Sequence, residues 1–123
     1  PQRDTLLLLQ HRAQMASYRA HGTALLQIIE IDGAAAGRLF LARVADDEVR
    51  VLDVALLPAW RGRGIGGRLL REVCADADRD RLMVSLHVEP GSPARRLYER
   101  LGFVGVATGE THVRMERTPQ LPS

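Results

Sequence analysis

The feature that constrains this chain most is a glycine-rich turn between an apolar run and a helical pattern. Residues 61–67 read Arg-Gly-Arg-Gly-Ile-Gly-Gly, and they follow the apolar run 54–57 and Pro58. Glycines let backbone N–H groups approach a ligand closely, and a helix N-terminus adds partial positive charge at the same point. Because Arg61 and Arg63 add full charges, the turn predicts a site for a phosphate or pyrophosphate. A purely structural corner is the alternative, but four glycines in six residues favour the ligand site.

Composition bounds the class of protein and its partners. The chain has 123 residues, enough for one domain, and we expect residues 1–118 to form it and 119–123 to be a loose tail. Its net charge of +2 disfavours nucleic acid as the main partner, and no apolar run approaches the ~20 residues that cross a membrane. The single cysteine, Cys74, excludes an internal disulfide and suits a reducing compartment, so a cytoplasmic protein is expected. Cys74 itself is expected to be a small buried hydrophobe.

Hydrophobic periodicity predicts the element order α-β-β-β-α-β-α-β-β. The predicted elements are a helix over 4–19, strands over 24–31, 36–44 and 49–57, a helix from Gly64, a strand over 82–88, a helix from Pro93 to Gly102, and a hairpin of strands 103–108 and 111–117. The first three strands form an antiparallel meander, and the strand, helix and strand that follow form a parallel, right-handed crossover. The predicted fold class is therefore α/β (α+β mixed), with one mixed, mostly antiparallel sheet and flanking helices.

The glycine turn differs from two common phosphate-binding motifs. It fits G-x-G-x-x-G only if the last glycine is Gly67, and no ribose-binding acid follows at the required place. A dinucleotide fold is therefore excluded. A Walker loop is excluded as well, because no Lys-Ser or Lys-Thr pair follows the glycines.

Three sequence blocks narrow the identity of the anion. They are Arg61-x-x-Gly64-x-Gly66 after an apolar strand and a proline, the apolar strand 82–88, and the segment 94–103, which reads Ala-Arg-Arg-Leu-Tyr-Glu-Arg-Leu-Gly-Phe. Together they resemble the GNAT family of acetyl-CoA-dependent N-acyltransferases, over about residues 23–117. The resemblance implies a GNAT-like fold in which the parallel strands 49–57 and 82–88 splay apart.

The N-terminal part departs from the family pattern. The family fold begins with a further strand and helix, whereas this chain is predicted to start at the second helix, as an N-terminally truncated domain. Strand 24–31 would then be an unpaired edge of the sheet that is able to pair with another chain. A homodimer is therefore one of the expected alternatives. Ser92 stands where many relatives carry an asparagine, and it offers a hydroxyl in place of a side-chain amide.

The resemblance implies acetyl-CoA (coenzyme A) as the cofactor and assigns residues to its parts. The pyrophosphate would lie on the glycine turn, and the pantetheine arm would pair with the end of strand 49–57. The N–H near Leu56 would hold the acetyl carbonyl as a small oxyanion site. The implied cofactor-binding residues are Val54, Ala55, Leu56, Arg61, Gly62, Arg63, Gly64, Ile65, Gly66, Gly67 and Ser92. No metal is implied.

The same resemblance implies a catalytic acid and leaves the base open. Tyr98 matches the family's tyrosine that protonates the leaving thiolate, although its place on the apolar face of a helix also suits packing. His87 lies where some relatives carry a glutamate base, and its ordinary pKa of about 6.5 suits proton removal at neutral pH. Asp53, in an otherwise apolar strand, and Glu89 are rivals, and water could relay the proton instead.

The leading hypothesis is an N-acetyltransferase that moves an acetyl group from acetyl-CoA directly to a primary amine of a small molecule or a protein. An acyl-CoA-binding module without turnover is the alternative. A nucleic-acid binder is a third class, which the near-neutral charge disfavours. The acceptor is not predicted, because its pocket would come from loops and from the N-terminal segment.

Overall fold

Seven strands form one mixed sheet in the computed structural model, which describes residues 6–8, 24–109 and 111–120. The strands are β1 (Leu6–Leu8), β2 (Ala24–Ile31), β3 (Ala34–Ala45), β4 (Glu48–Leu56), β5 (Met83–Val88), β6 (Val104–Thr108) and β7 (Val113–Arg117), in the spatial order β1-β2-β3-β4-β5-β7-β6. The other described elements are the helices α1 (Ile65–Arg79) and α2 (Ala94–Arg100) and the 3-10 turn Pro58–Trp60. The predicted mixed, mostly antiparallel fold is confirmed.

The first half of the sheet is an antiparallel meander, as predicted. Asp32 and Gly33 join β2 to β3 with φ angles of 52° and 83°. A type I′ hairpin turn requires this left-handed pair, and an Asp-Gly sequence adopts it readily. A second tight turn at Asp46 and Asp47 joins β3 to β4. Two short turns therefore place β2, β3 and β4 side by side.

Strands β4 and β5 are parallel neighbours that separate soon after they begin. Their ladder comprises only Glu48–Met83, Val49–Val84 and Arg50–Ser85. Beyond it, β5 pairs with β7 and β4 continues beside β3. In the described part of the chain, the second half of β4 therefore borders a cleft rather than a strand. The splayed pair that the family resemblance implied is confirmed.

The core lies on one face of the sheet, beneath α1. This helix is amphipathic, and its residues Ile65, Leu69, Val73 and Ala77 are buried at a spacing of four. They pack on inward-facing strand residues that include Ile29, Ile31, Leu39, Leu41, Val49, Val84, Leu86, Val113 and Met115. Cys74 is buried there too, and burial raises the pKa of its thiol to about 11. It is the small buried hydrophobe that was predicted.

The N-terminal prediction is wrong where the structure describes the chain. Leu6–Leu8 forms β1, which pairs antiparallel with β2 and places Leu7 opposite Glu30, instead of belonging to a helix over 4–19. Leucine has a high helix propensity, but hydrogen bonds to the exposed edge of β2 override such a weak preference. β2 is therefore not the open edge that was expected. The other residues of 4–19 lie outside the described residues.

Two smaller predictions, for the bounds of the C-terminal hairpin and for the tail after it, differ from the structure. β6 and β7 are antiparallel, and they begin later than predicted, at Val104 and Val113. The tail that was predicted to be loose is held as far as Gln120, whose backbone N–H donates to Asp78 Oδ1 of α1 at 2.9 Å. Residues 121–123 lie outside the described part of the chain.

Candidate active site

A β-bulge redirects the second half of β4. Leu52 is inserted between Val51 and Asp53, which pair with consecutive residues of β3. Such an extra residue shifts the alternation of a strand by one position. Val51 before the bulge and Val54 after it therefore both pack toward the core. Asp53 turns to the opposite face.

The backbone of β4 after the bulge directs hydrogen-bonding groups into the cleft. The Leu57 N–H donates to Ala36 O of β3 at 2.7 Å. Because successive residues of a strand direct their N–H and C=O groups to opposite sides, those of Leu56 and Val54 point away from β3. The N–H of Ala55 points toward β3. Of the three residues predicted to pair with pantetheine, Val54 and Leu56 have the suitable orientation.

Gly37 allows β3 to approach this part of β4 closely. A Cβ placed on Gly37 would lie 2.1 Å from Ala55 O and 2.9 Å from Leu56 Cα, so a side chain there would collide with backbone. Gly37 lies opposite Leu56 in the ladder, which makes it part of the support for the cleft. It was not predicted as a site residue. The signal for it was a glycine inside a strand, which often marks a close backbone approach.

The glycine-rich turn begins α1 with two left-handed residues. Gly62 and Gly64 have φ angles of 75° and 77°, which residues with a side chain rarely adopt. Gly64 is the N-cap, and in the described residues no side chain caps α1 and no acid lies in its first turn. The first amides of α1 and their partial positive charge therefore face outward. A Cβ on Gly66 would meet no atom within 4 Å, so its missing side chain leaves the first turn open.

Two arginines flank this turn, and each is held by a contact. Arg61 Nε donates to Leu56 O at 3.0 Å, which ties the turn to the end of β4. The Arg63 guanidinium carbon lies 4.8 Å from the centre of the Trp60 ring, a cation–π contact. Their charges add to the partial charge of the helix N-terminus. Positive charge therefore gathers where the chain passes from β4 to α1.

A cavity of about 380 Å³ opens beside the end of β4. Its lining is mainly apolar, with Ile28, Ala55 and Leu57 among its residues, and its charged residues are Arg38 and Arg61. The cavity therefore offers room for an uncharged part of a ligand next to the strand end and the turn.

Ser92 holds the start of α2. Its Oγ accepts a hydrogen bond from the Ala94 N–H at 3.2 Å, and its carbonyl accepts one from the Arg95 N–H at 3.1 Å. The helix begins at Ala94 with Pro93 as its N-cap, one residue later than predicted. Because the Ser92 hydroxyl acts as an acceptor in its hydrogen bond, its proton stays available for donation to a ligand.

Tyr98 lies on α2, on the helix-covered side of the sheet. Its ring makes an edge-to-face contact with Phe103, with 5.8 Å between ring centroids. Burial raises the pKa of the Tyr98 phenol, which is therefore protonated at neutral pH. The adjacent Leu97 lies against the first turn of α1, where its Cδ1 is 3.5 Å from a Cβ placed on Gly67. Tyr98 thus combines a packing contact with a protonated hydroxyl, on a helix that contacts the first turn of α1 through Leu97.

His87 lies on the face opposite to α1. Its neighbours Leu86 and Val88 are buried in the core, so alternation directs His87 to the other face, where its side chain is exposed. Partial desolvation lowers the pKa of His87, and the positive charges of Arg50 and Arg114, with His112, lower it further. The imidazole is therefore neutral at pH 7 and able to accept a proton.

Asp53 lies on the same face as His87, but it is engaged. Its Oδ2 accepts a hydrogen bond from Arg38 Nε at 2.7 Å, in an ion pair between partly exposed side chains. Glu89 lies just beyond β5 and is exposed. The structure therefore places the candidate acid and the two main candidate bases on opposite faces of the sheet.

A polar network near His87 was not predicted. Glu48 Oε2 accepts hydrogen bonds from Ser85 Oγ, Arg114 Nη2 and Arg50 Nη2, at 2.6, 2.9 and 3.2 Å. Burial alone would raise the pKa of Glu48, but the Ser85 hydrogen bond and the arginine charges outweigh burial and lower that pKa. The available signal was period-2 polar residues in three strands, at 48 and 50, 85 and 87, and 114 and 116.

The described ranges hold no metal-ligand cluster and no membrane-spanning helix. No group of three or more His, Cys, Asp or Glu side chains there could hold a metal ion. No helix in those ranges is long and apolar enough to cross a membrane. The candidate site consists of the turn, the cleft and the polar face described above.

Comparison with known proteins places this arrangement in a family. The family model described as "Acetyltransferase (GNAT) domain" matches residues 22–105. This chain belongs to the GNAT family. The matched range contains β4, the glycine turn, α1, β5 and α2, so the GNAT match includes the cleft and the turn described above.

Two curated proteins match this chain in sequence. The "GCN5-like protein acetyltransferase Rv2170" of Mycobacterium tuberculosis is 35% identical over 74 residues. That match covers 58% of this chain and 36% of the relative, and a second curated relative, named as an imidazole-carboxamide isomerase, is covered over 46% of its length. This GNAT domain therefore spans less than half of the curated relatives it matches.

Solved structures share its fold over nearly all of both chains. The ribosomal-protein-S18-alanine N-acetyltransferase from Escherichia coli superposes with a TM-score of 0.72, at 20% identity, over 98% of this chain and 97% of that one. A GNAT family acetyltransferase from Elizabethkingia anophelis with acetyl-CoA bound superposes with a TM-score of 0.69, at 15% identity, over 96% and 99%. At identities this low, the superpositions show a shared fold and nothing further.

Proposed function

We propose that this GNAT domain transfers an acetyl group from acetyl-CoA to a primary amine by direct attack. The observation that carries the proposal is the orientation of the Val54 and Leu56 N–H groups, which point into the β4–β5 cleft beside an arginine-flanked turn. A strand edge can pair with an extended arm, and an open helix N-terminus can hold phosphates. Acetyl-CoA carries a pantetheine arm followed by a pyrophosphate, which matches that order.

The cofactor would be held along this path. Its pyrophosphate would accept hydrogen bonds from the amides of residues 62–67, and Arg61 and Arg63 would add charge at the rim. The pantetheine amides would pair with the backbone of Val54 and Leu56. The Leu56 N–H would then donate to the thioester oxygen, where negative charge develops during attack. One such donor lowers a barrier by roughly 3 kcal/mol.

The reaction replaces the thioester C–S bond with an amide C–N bond. The amine nitrogen attacks the thioester carbonyl, a C–N bond forms, and the C–S bond breaks with its electron pair going to sulfur. A base takes one proton from the amine, and the Tyr98 phenol gives its proton to the thiolate. The base then releases its proton to solvent, and solvent returns one proton to Tyr98. The raised pKa of Tyr98 keeps the proton in place until the thiolate forms.

We assign the base to His87. It is neutral at pH 7, and it lies on the face opposite to Tyr98, so the amine would approach from one side and the thiolate would leave on the other. Asp53 would have to accept the proton while it is held in its ion pair with Arg38. The neutral imidazole of His87 has a nitrogen lone pair that can accept the proton.

The test combines binding with turnover. We expect coenzyme A to bind the purified protein in a calorimetric titration, and acetyl-CoA to yield acetylated products from a panel of primary amines, detected by liquid chromatography and mass spectrometry. Absence of coenzyme A binding would overturn the cofactor assignment. Binding without acetylation of any amine would favour the alternative, an acyl-CoA-binding module without turnover.

A further inference from the structure

Charged side chains surround His87 on its face of the sheet. Alternation and register place Ser85 and His87 of β5 on this face, with Glu116 opposite Ser85 and Arg114 opposite His87 on β7. On the other side of β5, Arg50 of β4 lies opposite Ser85. Residues directly opposite each other in a sheet have side chains within contact distance. His87 is therefore flanked by arginines from both neighbouring strands.

Both arginines are held in place by hydrogen bonds that leave part of each guanidinium unused. Arg50 donates through Nε to Ser85 Oγ at 3.1 Å and through Nη2 to Glu48. Arg114 donates through Nε and Nη2 to Glu116 Oε2, at 2.9 and 2.7 Å, and through Nη2 also to Glu48. These contacts do not use Nη1 of either residue. Each arginine side chain remains 25% exposed.

The two carboxylates balance the two guanidiniums in net charge, and they are hydrogen-bonded to Nη2 of both arginines and to Nε of Arg114. By register, Glu48 lies beside Met83 and Glu116 beside Ser85, whereas Arg114 lies beside His87. Partial burial lowers the pKa of His87, and the positive charges of Arg50 and Arg114 lower it further. A ligand group near His87 therefore meets positive potential from groups that are already fixed.

We propose that the acceptor is a primary amine that carries a carboxylate or phosphate group a few bonds from its nitrogen, and that Arg50 and Arg114 bind this group. The inference rests on the proposed acetyl transfer and names the acceptor class for it. The Nη1 groups of two fixed guanidiniums can donate charge-assisted hydrogen bonds to the oxygens of such an anion. A second ammonium group would be repelled at the same place, so di- and polyamines are poor acceptors.

Positive charge near the amine also assists the chemistry. Acceptors bind mostly as ammonium ions at neutral pH, and only the neutral amine is a nucleophile. Nearby guanidiniums favour loss of the ammonium proton, because the charged form is repelled. The anionic group of the acceptor would compensate this repulsion during binding.

The first test compares three acceptors of similar length on the unmodified protein. 4-Aminobutyrate, 1-aminobutane and 1,4-diaminobutane present a carboxylate, a methyl group and an ammonium group at the same end. We expect kcat/KM for 4-aminobutyrate to exceed that for 1-aminobutane by about 10- to 100-fold, as one or two charge-assisted hydrogen bonds produce, and the diamine to be the poorest. Equal values, or a preference for the diamine, would overturn the inference while leaving acetyl transfer established.

A second test asks which residues produce the preference. Arg114→Gln should reduce the 4-aminobutyrate preference to near one, mainly through KM, and Arg114→Lys should retain part of it because the charge remains. Arg100→Gln is the matched control, since it removes one exposed arginine from the last turn of α2. Calorimetry with coenzyme A verifies that each variant is folded. An unchanged preference in Arg114→Gln would contradict the assignment.

Two tetrapeptide amides distinguish a small-molecule acceptor from a protein N-terminus. One peptide starts with Asp-Ala and the other starts with Lys-Ala. If the acceptor is a small molecule, 4-aminobutyrate should be acetylated more efficiently than either peptide. If it is a protein N-terminus, the Asp peptide should be the better substrate. In both cases 4-aminobutyrate should be acetylated more efficiently than 1-aminobutane, and the Asp peptide more efficiently than the Lys peptide. If no amine of any kind is acetylated, both this inference and the proposed function fail.

Discussion

The two faces of the sheet are made by the same strands and are built differently. The face under α1 is apolar and closely packed, with Leu39, Val84 and Met115 fully buried. The opposite face of β4, β5 and β7 carries the network around Glu48 and the exposed His87. Because successive strand residues point to opposite faces, one stretch of sequence can serve both purposes. The covered face supports the turn, and the polar face is the one proposed to bind the acceptor.

The largest expected effect is on the covered side, at the start of α1. Gly64→Glu places a negative charge where the pyrophosphate is proposed to lie, and we expect the Kd for coenzyme A to rise by more than about 100-fold, since like charges in contact cost several kcal/mol. Gly64→Gln is the matched control, because it introduces the same strain at φ 77° without the charge. Calorimetry measures both. Similar Kd values for the two variants would show that the turn does not bind the pyrophosphate.

Removal of the Tyr98 hydroxyl comes next. Tyr98→Phe keeps the edge-to-face contact with Phe103 and loses only the proton donor. We expect kcat to fall by about 100-fold, the lower end of what a positioned acid contributes, with the Kd for coenzyme A unchanged. Steady-state kinetics and calorimetry provide the two values. If kcat is unaffected, Tyr98 serves packing and the thiolate is protonated from elsewhere.

A third change tests the support of the cleft. Gly37→Ala would place a Cβ against the backbone of Ala55 and Leu56, so we expect the free energy of unfolding to fall by about 1–3 kcal/mol, as overpacking does. Gly105→Ala in β6 is the control, because the nearest atom to its Cβ would be the end of the Arg95 side chain, at 3.2 Å, which can move. Urea denaturation compares them. Equal losses would show that the close approach of β3 and β4 is not the cause.

The smallest effect is expected on the polar face. His87→Gln should lower kcat/KM by about tenfold, less than the ~100-fold of a fully positioned base, because the exposed side chain leaves room for water to take the proton. Since its pKa lies below the ordinary 6.5, the unmodified enzyme should lose activity as pH falls through that lower value and imidazolium forms.

The pH profile separates His87 from its rival. After correction for ionisation of the free amine, the acid limb should disappear in His87→Gln and persist in Asp53→Asn. The reverse result would assign the base to Asp53, and the ion pair with Arg38 would then have to open or rearrange during turnover.

Local patterns were sufficient for much of the fold. The Asp32–Gly33 pair, the four-residue spacing from Ile65 to Ala77 and the glycine turn each encode an element through short-range geometry, and each element formed as predicted. The prediction failed at Leu6–Leu8, where a run of leucines suits both a helix and a strand. Pairing with β2, a partner distant in sequence, decides between them.

The candidate site divides in the same way. By itself the sequence determined the turn, the position of Tyr98 on its helix and the family, because these depend on residue type and spacing along one segment. Only the tertiary structure decided the roles of Gly37, the Leu52 bulge and the arginines around His87. Each of these depends on which residue of another strand lies opposite, and strand register is set by the packing of the whole sheet. The acceptor specificity proposed here comes from that register.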